Sequence, residues 1–177
     1  QDSGCVLLLA QTAQGWAEQW LETQAVSLPS GTCKITYTSG STGEPKGVCL
    51  GAESLQNTLE ALAERIGSSG VTEHLCTMPL AVLLENLAGV YLPLWLGKRV
   101  SLPGLSSLGL GSMQRPEPAR FIATLAASHA DSLILLPATL NWLVGAVAGG
   151  MVAAERWKLL AGGGGKCARD LLLRSQN

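Results

Sequence analysis

Short β-branched or leucine-rich runs alternate along this chain with longer stretches of helical period, the arrangement expected when helices cover a parallel sheet. Residues 5–10, 34–38, 48–50, 74–78, 99–102, 132–136 and 158–161 predict strands. Between the third and fourth of them, Leu55, Leu59, Leu62 and Ile66 recur at helical spacing and share one face, which should pack on the sheet. Residues 83–92, 118–128, 138–148 and 168–174 predict further helices. Pro116 and Pro118 stand at the entrance to the second of these, where a missing N–H costs nothing because the first turn has no partner for it. The glycine- and serine-rich stretch 104–115 reads as a loop, and a weaker break at 67–70 could separate two lobes. The fold class is therefore α/β, with a largely parallel sheet flanked by helices.

Composition adds that the chain lacks a full polar surface. Only 14% of its 177 residues are charged, where a soluble domain has roughly a quarter. It has the make-up of an interior cut from something larger, and uncovered apolar area should make it self-associate. A net charge of -1 gives no electrostatic footing for nucleic acid or an anionic membrane. Five scattered cysteines without a C-x-x-C pair indicate neither a disulfide framework nor a zinc site. His74 and His129 have no carboxylate three or four residues away, so both read as fold residues and no metal ligand is assigned. The first apolar run is too short, and lacks the basic flank, for a signal peptide; a cytoplasmic setting is expected.

Residues 78–97 are mostly apolar and about long enough to cross a bilayer. Glu85, Asn86 and Pro93 interrupt them. A carboxylate near the middle of a lone span costs roughly 2.5–3.5 kcal/mol, so a core helix is the cheaper reading.

Candidate chemistry is concentrated after the strand at 34–38. Thr38, Ser39, Gly40, Ser41, Thr42 and Gly43 lead through Glu44 and Pro45 to Lys46 and Gly47. Polyphosphate calls for this composition: glycines let backbone N–H groups approach the oxygens, hydroxyls add donors, and a lysine neutralises charge. A flexible serine-glycine linker would need neither the Pro-Lys-Gly ending nor a place between two strands. The G-x-x-x-x-G-K-[ST] loop of the GTPases and ATPases is excluded, because it demands glycine where this chain has Pro45.

The run TYTSGSTGEPKGV, Thr36 to Val48, resembles the signature loop of the adenylate-forming superfamily, which includes acyl-CoA synthetases, luciferases and the adenylation domains of peptide synthetases. The resemblance implies that Thr38, Ser39, Gly40, Ser41, Thr42, Gly43 and Lys46 hold the β- and γ-phosphates of ATP, with Mg2+, while a substrate carboxylate attacks the α-phosphorus. Lys46 is the catalytic candidate, since departing pyrophosphate needs its charge stabilised.

Met78 to Asn86, MPLAVLLEN, is similar to the L-P-L-A-H-x-x-E pattern of long-chain fatty acyl-CoA synthetases, with Val82 in place of the histidine. There the segment enters a helix near the acyl pocket, which favours a fatty acyl substrate. Leu159 to Cys167 predicts a strand that runs into Gly162, Gly163, Gly164 and Gly165 and then a helix. Gly163, Gly165 and Ala168 also make a weak G-x-G-x-x-A dinucleotide match. The superfamily has a Gly-Gly-Ala-like turn at the equivalent place, lining the acyl and adenine pocket, which implies that role for Gly163, Gly164 and Gly165.

The resemblance implies that residues 1–70 close a first α/β lobe carrying the phosphate-binding loop and that 71–177 form part of a second, together a partial N-terminal domain. The superfamily's later motifs, for adenine, ribose, magnesium and the catalytic lysine of a mobile C-terminal domain, would fall beyond Asn177, and the chain alone should be inactive. The expected parent is an ATP-dependent acid–thiol ligase that passes the acyl group to CoA. A phosphopantetheinyl carrier protein is the alternative acceptor for an acyl, aryl or amino acid, and a non-catalytic scaffold is the alternative of another class.

Overall fold

The computed structural model describes the backbone of residues 5–12, 15–22, 27–39, 45–111 and 115–175, and the side chains of 27–37, 46–111 and 115–175. Strands β1 (Cys5–Thr12) and β2 (Gly15–Glu22) pair antiparallel. The strand expected at the start of the chain is therefore present, but its partner carries no strand signal: Trp16, Ala17, Trp20 and Leu21 are spaced as well for a helix face as for a strand. A second antiparallel hairpin joins β3 (Thr32–Ser39) to β4 (Pro45–Gly51). The helix α1 (Ala52–Ile66) follows at once, with Glu53 in its first turn and Arg65 in its last, charges that complement the helix dipole.

The centre of the molecule is a parallel sheet of β5 (Glu73–Leu75), β6 (Arg99–Ser101), β7 (Ser132–Leu135) and β8 (Leu159–Gly162), in the order β6-β5-β7-β8. The α/β class with a parallel sheet flanked by helices holds, with the two hairpins as its antiparallel additions. Strand β7 is buried along its whole length, as a central parallel strand with both faces covered must be. Helices α3 (Pro118–Ala127) and α4 (Pro137–Ala148) each begin at a proline. Phe121, Leu125, Leu133, Leu135 and Leu143 form the core between them and the sheet. Phe121 meets Trp142 edge to face at 5.7 Å, the geometry that ring quadrupoles favour. A short helix, α5 (Arg169–Arg174), ends the described chain and buries Leu171.

One packing expectation needs correction. Leu59 of α1 is buried as its spacing requires, yet α1 rests on β4 and on the helical layer that follows β5 rather than chiefly on the parallel sheet. The reason lies in residues 83–95, whose helix is wound wide over Glu85–Tyr91 and continues as α2 (Leu92–Trp95). Pro93 has no N–H to offer the carbonyl four residues back, Gly89, and the ladder shifts: Leu92 N–H donates to Leu87 O, five residues back. Cys76 Sγ reaches the Gly89 carbonyl instead, at 3.7 Å. A proline in mid-helix thus accompanies a π-helical stretch, a form frequent at functional sites.

Asp131 locks the N-terminal edge of the sheet. Its carboxylate accepts from the Thr72 hydroxyl at 2.7 Å, from Thr72 N–H at 3.0 Å and from Glu73 N–H at 3.1 Å, and Lys158 Nζ lies 3.1 Å away. Burial pushes the acid's pKa up, but these donors outweigh burial and hold it at about 2.

Candidate functional site

Where strand order reverses in an open parallel sheet, loops leave the strand ends in opposite directions and a crevice opens at their carboxyl side. Here the chain passes from β5 to β6 on one flank and then returns to β7 on the other. The carboxyl ends of β5, β7 and β8 lead into Cys76–Thr77, into Leu136–Pro137 and into Gly163–Gly165. Thr77 ties two of these exits together by donating its hydroxyl to Ile134 O at 2.5 Å.

Two sequence-predicted pocket elements meet there. Leu84, two residues beyond Val82, sits against Gly163 so closely that a side chain at 163 would run into it. Gly164 has φ +73, and a Cβ on it would lie 2.6 Å from Leu136 Cδ2; both the left-handed backbone and the close approach require glycine. Gly165 abuts Pro137. Val82 itself stays exposed.

Of the residues expected to grip phosphate, Thr38 and Ser39 end β3 and Lys46 lies on β4. Thr38 pairs with Lys46 and Ser39 with Pro45 across the antiparallel ladder, and Lys46 is exposed on β4. Gly47 lies opposite Tyr37, where a Cβ would come within 3.0 Å of Ile35 Cγ2. The glycine that ends the Pro-Lys-Gly sequence therefore lets the hairpin close. Gly40, Ser41, Thr42, Gly43 and Glu44 lie outside the described residues, as do the side chains of Thr38 and Ser39.

Sequence reasoning missed the groups that join these parts. Lys34, on β3, donates to the Asn86 side-chain oxygen and places its ammonium 4.8 Å from the centre of the Tyr91 ring. Burial lowers its pKa, while the neighbouring Cys33 acts in the opposite sense. Beneath this contact lies a fully buried polar row: Ser132 Oγ to His74 Nδ1 at 2.9 Å and His74 Nε2 to Glu85 Oε1 at 3.3 Å. Burial, followed by the charge of Glu85 and a hydrogen bond to it, pushes the Cys76 thiol pKa well above its ordinary value. The one available signal was Glu85 itself, a charge in an apolar helix that must find a partner. That partner lies eleven residues away, beyond helix spacing.

An open parallel sheet with Gly163–Gly165 at one of its carboxyl-side exits places the chain among the α/β proteins. The family model of the AMP-binding enzymes matches residues 3–176, and the chain belongs to that family. Its fold is that of part of the N-terminal domain of adenylate-forming enzymes. It superposes with TM-score 0.64 at 23% identity on a malonyl-CoA ligase bound to methylmalonyl-CoA and AMP, over 87% of this chain and 33% of that one. For the o-succinylbenzoate coenzyme A synthetase of Bacillus subtilis in complex with AMP, the TM-score is 0.63 at 20% identity, over 90% of this chain and 30% of that one. For VinN with L-aspartate it is 0.61 at 15% identity, over 86% of this chain and 36% of that one. In sequence, 53 residues are 49% identical to the nonribosomal peptide synthetase ecdA of Aspergillus rugulosus, 30% of this chain and 1% of that protein. The chain spans about a third of the length of these solved structures. Among the described residues no helix is long and apolar enough to cross a membrane.

Proposed function

We propose that this chain is the phosphate-gripping and acyl-pocket part of an AMP-forming ligase that activates a carboxylic acid, a fatty acid in the favoured reading, and transfers the acyl group to CoA. The observation that carries the reading is the family match over residues 3–176, together with a hairpin that brings Lys46 back opposite Thr38. In this reading residues 1–70 carry the phosphate grip and 71–177 carry one wall of the pocket. Thr38, Ser39, Gly40, Ser41, Thr42, Gly43 and Lys46 bind the β- and γ-phosphates of magnesium-bound ATP, and Lys46 stabilises the departing pyrophosphate. Val82, Gly163, Gly164 and Gly165 border the acyl group, with Leu84 against Gly163 fixing the wall. The similarity to long-chain acyl-CoA synthetases in residues 78–86 supports the fatty acyl substrate.

The acceptor has a second reading. The peptide synthetase match favours a carrier-protein thiol, and supplying CoA or a phosphopantetheinyl carrier to the preformed adenylate separates the two by which thiol is acylated.

The test of the central reading is ATP–pyrophosphate exchange in the full-length enzyme. A charge-assisted hydrogen bond contributes roughly 1.5–3 kcal/mol, so Lys46→Ala should slow acid-dependent exchange by about ten- to over a hundredfold while acid binding barely changes. An unchanged exchange rate would remove Lys46 from the site. Absence of exchange in the unaltered enzyme, across a panel of acids, would favour the scaffold alternative.

A further inference from the structure

The buried centre under the π-helical segment stands apart from the phosphate grip. His74, Cys76 and Glu85 are 1%, 1% and 0% exposed. One ligand atom from each, nitrogen, sulfur and oxygen, lies within 4.8 Å of the other two. Glu85 Oε1 faces His74 Nε2 at 3.3 Å, but Glu85 Oε2 is buried without a hydrogen-bond partner. A carboxylate withdrawn from water normally has its oxygens answered by donors or cations, because a bare one has lost the solvation it enjoyed outside.

The donor set and its spacing fit a metal ion. Imidazole nitrogen, thiolate sulfur and carboxylate oxygen are the ligands that zinc accepts. For zinc bonds of about 2.0–2.1 Å in a tetrahedron, nitrogen and oxygen ligands stand about 3.3 Å apart, the separation found between His74 and Glu85. Sulfur in the same tetrahedron stands about 3.6 Å from them, inside the 4.8 Å that holds all three ligand atoms here. Ser132 holds His74 Nδ1 at 2.9 Å, which orients the ring and leaves Nε2 for the ion. Gly89 is what allows His74 to reach Glu85 over the helix surface, since a Cβ there would lie 2.6 Å from His74 Nε2 and 2.9 Å from Glu85 Oε1. Charge also balances: one dication with one thiolate, one carboxylate and a neutral imidazole makes a neutral buried group.

We propose that His74, Cys76 and Glu85 form a structural site for one zinc-class divalent cation, which clamps β5 to the π-helical segment. On binding, the Cys76 thiol proton leaves to solvent, the metal–sulfur bond forms, and Glu85 Oε2 becomes available as a further ligand.

The test uses full-length protein without a histidine tag. Elemental analysis after purification should find roughly one equivalent of zinc. After chelation, titration with Co2+ should produce a thiolate-to-cobalt charge-transfer band in the near ultraviolet and the strong visible absorption of a tetrahedral site. Cys76→Ser, close in size, should abolish the charge-transfer band. A metal-free protein that develops no such band with Co2+ overturns the proposal, as does a band that survives Cys76→Ser. The unaltered protein decides the first point even if the variant fails to fold, and neither result depends on adenylation activity.

Discussion

The β3–β4 hairpin and the β5–β8 sheet solve opposite problems. The hairpin keeps its polar chemistry contiguous in sequence and leaves its apolar side chains open, with Tyr37 67% exposed. The sheet buries β7 completely and gathers its polar groups from distant positions, so that His74 meets Glu85, Ser132 and Cys76 in one dry cluster. A loop proposed to meet phosphate in water needs local composition. A polar group that must live inside a sheet needs partners, wherever the topology supplies them.

The largest effect expected from this contrast is on stability. Removing one member of a buried polar pair leaves the other unpaired, at about 3–5 kcal/mol, so Glu85→Ala should lower the denaturation midpoint severely. Tyr37→Ala on the hairpin should stay within about 0.5 kcal/mol, as exposed substitutions do. Equal losses for the two variants in urea titration would erase the distinction between the regions.

That difference also explains what the sequence made legible. Strands β3, β4 and β7, and helices α1, α3 and α4, follow from apolar spacing and from prolines at helix entrances, because those signals are local. The run Thr36 to Val48 that resembles the family signature is equally local, and the family match covers it. The β2 strand was not legible, since its tryptophans and leucine suit either period, and neither was the antiparallel pairing of β1 with β2 and of β3 with β4, which apolar spacing does not encode. Lys34, His74 and Ser132 carried no local signal at all: each acquires meaning only when Asn86, Glu85 or a neighbouring strand is folded against it. The π-helical winding was encoded by Pro93, but reading it required knowing that Cys76 waits at the Gly89 carbonyl.

The next effect is on acid stability and belongs to the sheet. Asp131 titrates at about 2 in the folded chain against about 3.9 in an unfolded one. An acid whose pKa is lowered by folding stabilises the native state when ionised. Its contribution, about 2–3 kcal/mol, is fully present above roughly pH 5 and is lost as pH falls toward 2. With the carboxylate only 8% exposed, salt should screen little of it. Asp131→Asn should remove most of this acid dependence, and a wild-type stability curve that is flat between pH 5 and 2 would show that the clamp does not hold.

The smallest effect concerns a contact that joins the hairpin to the helical segment covering the sheet. Lys34 reaches from β3 to Asn86 and the Tyr91 ring, so its ammonium gains a hydrogen bond and a cation–π contact worth about 1–2 kcal/mol together. Burial works against that gain, as the lowered pKa of Lys34 records, and the net value should be under about 1 kcal/mol. Lys34→Met keeps the aliphatic stem and removes only the charge and the donor. Amide exchange in β3 and β4 should then quicken several-fold while β5 and β7, held by the buried cluster and by Asp131, keep their protection, because local opening reports the contacts of its own unit. Lys34→Arg, which retains a donor and a cation for the ring, should restore most of the protection. If β7 exchanges faster along with the hairpin in Lys34→Met, the two regions open as one unit and the division drawn between them is wrong.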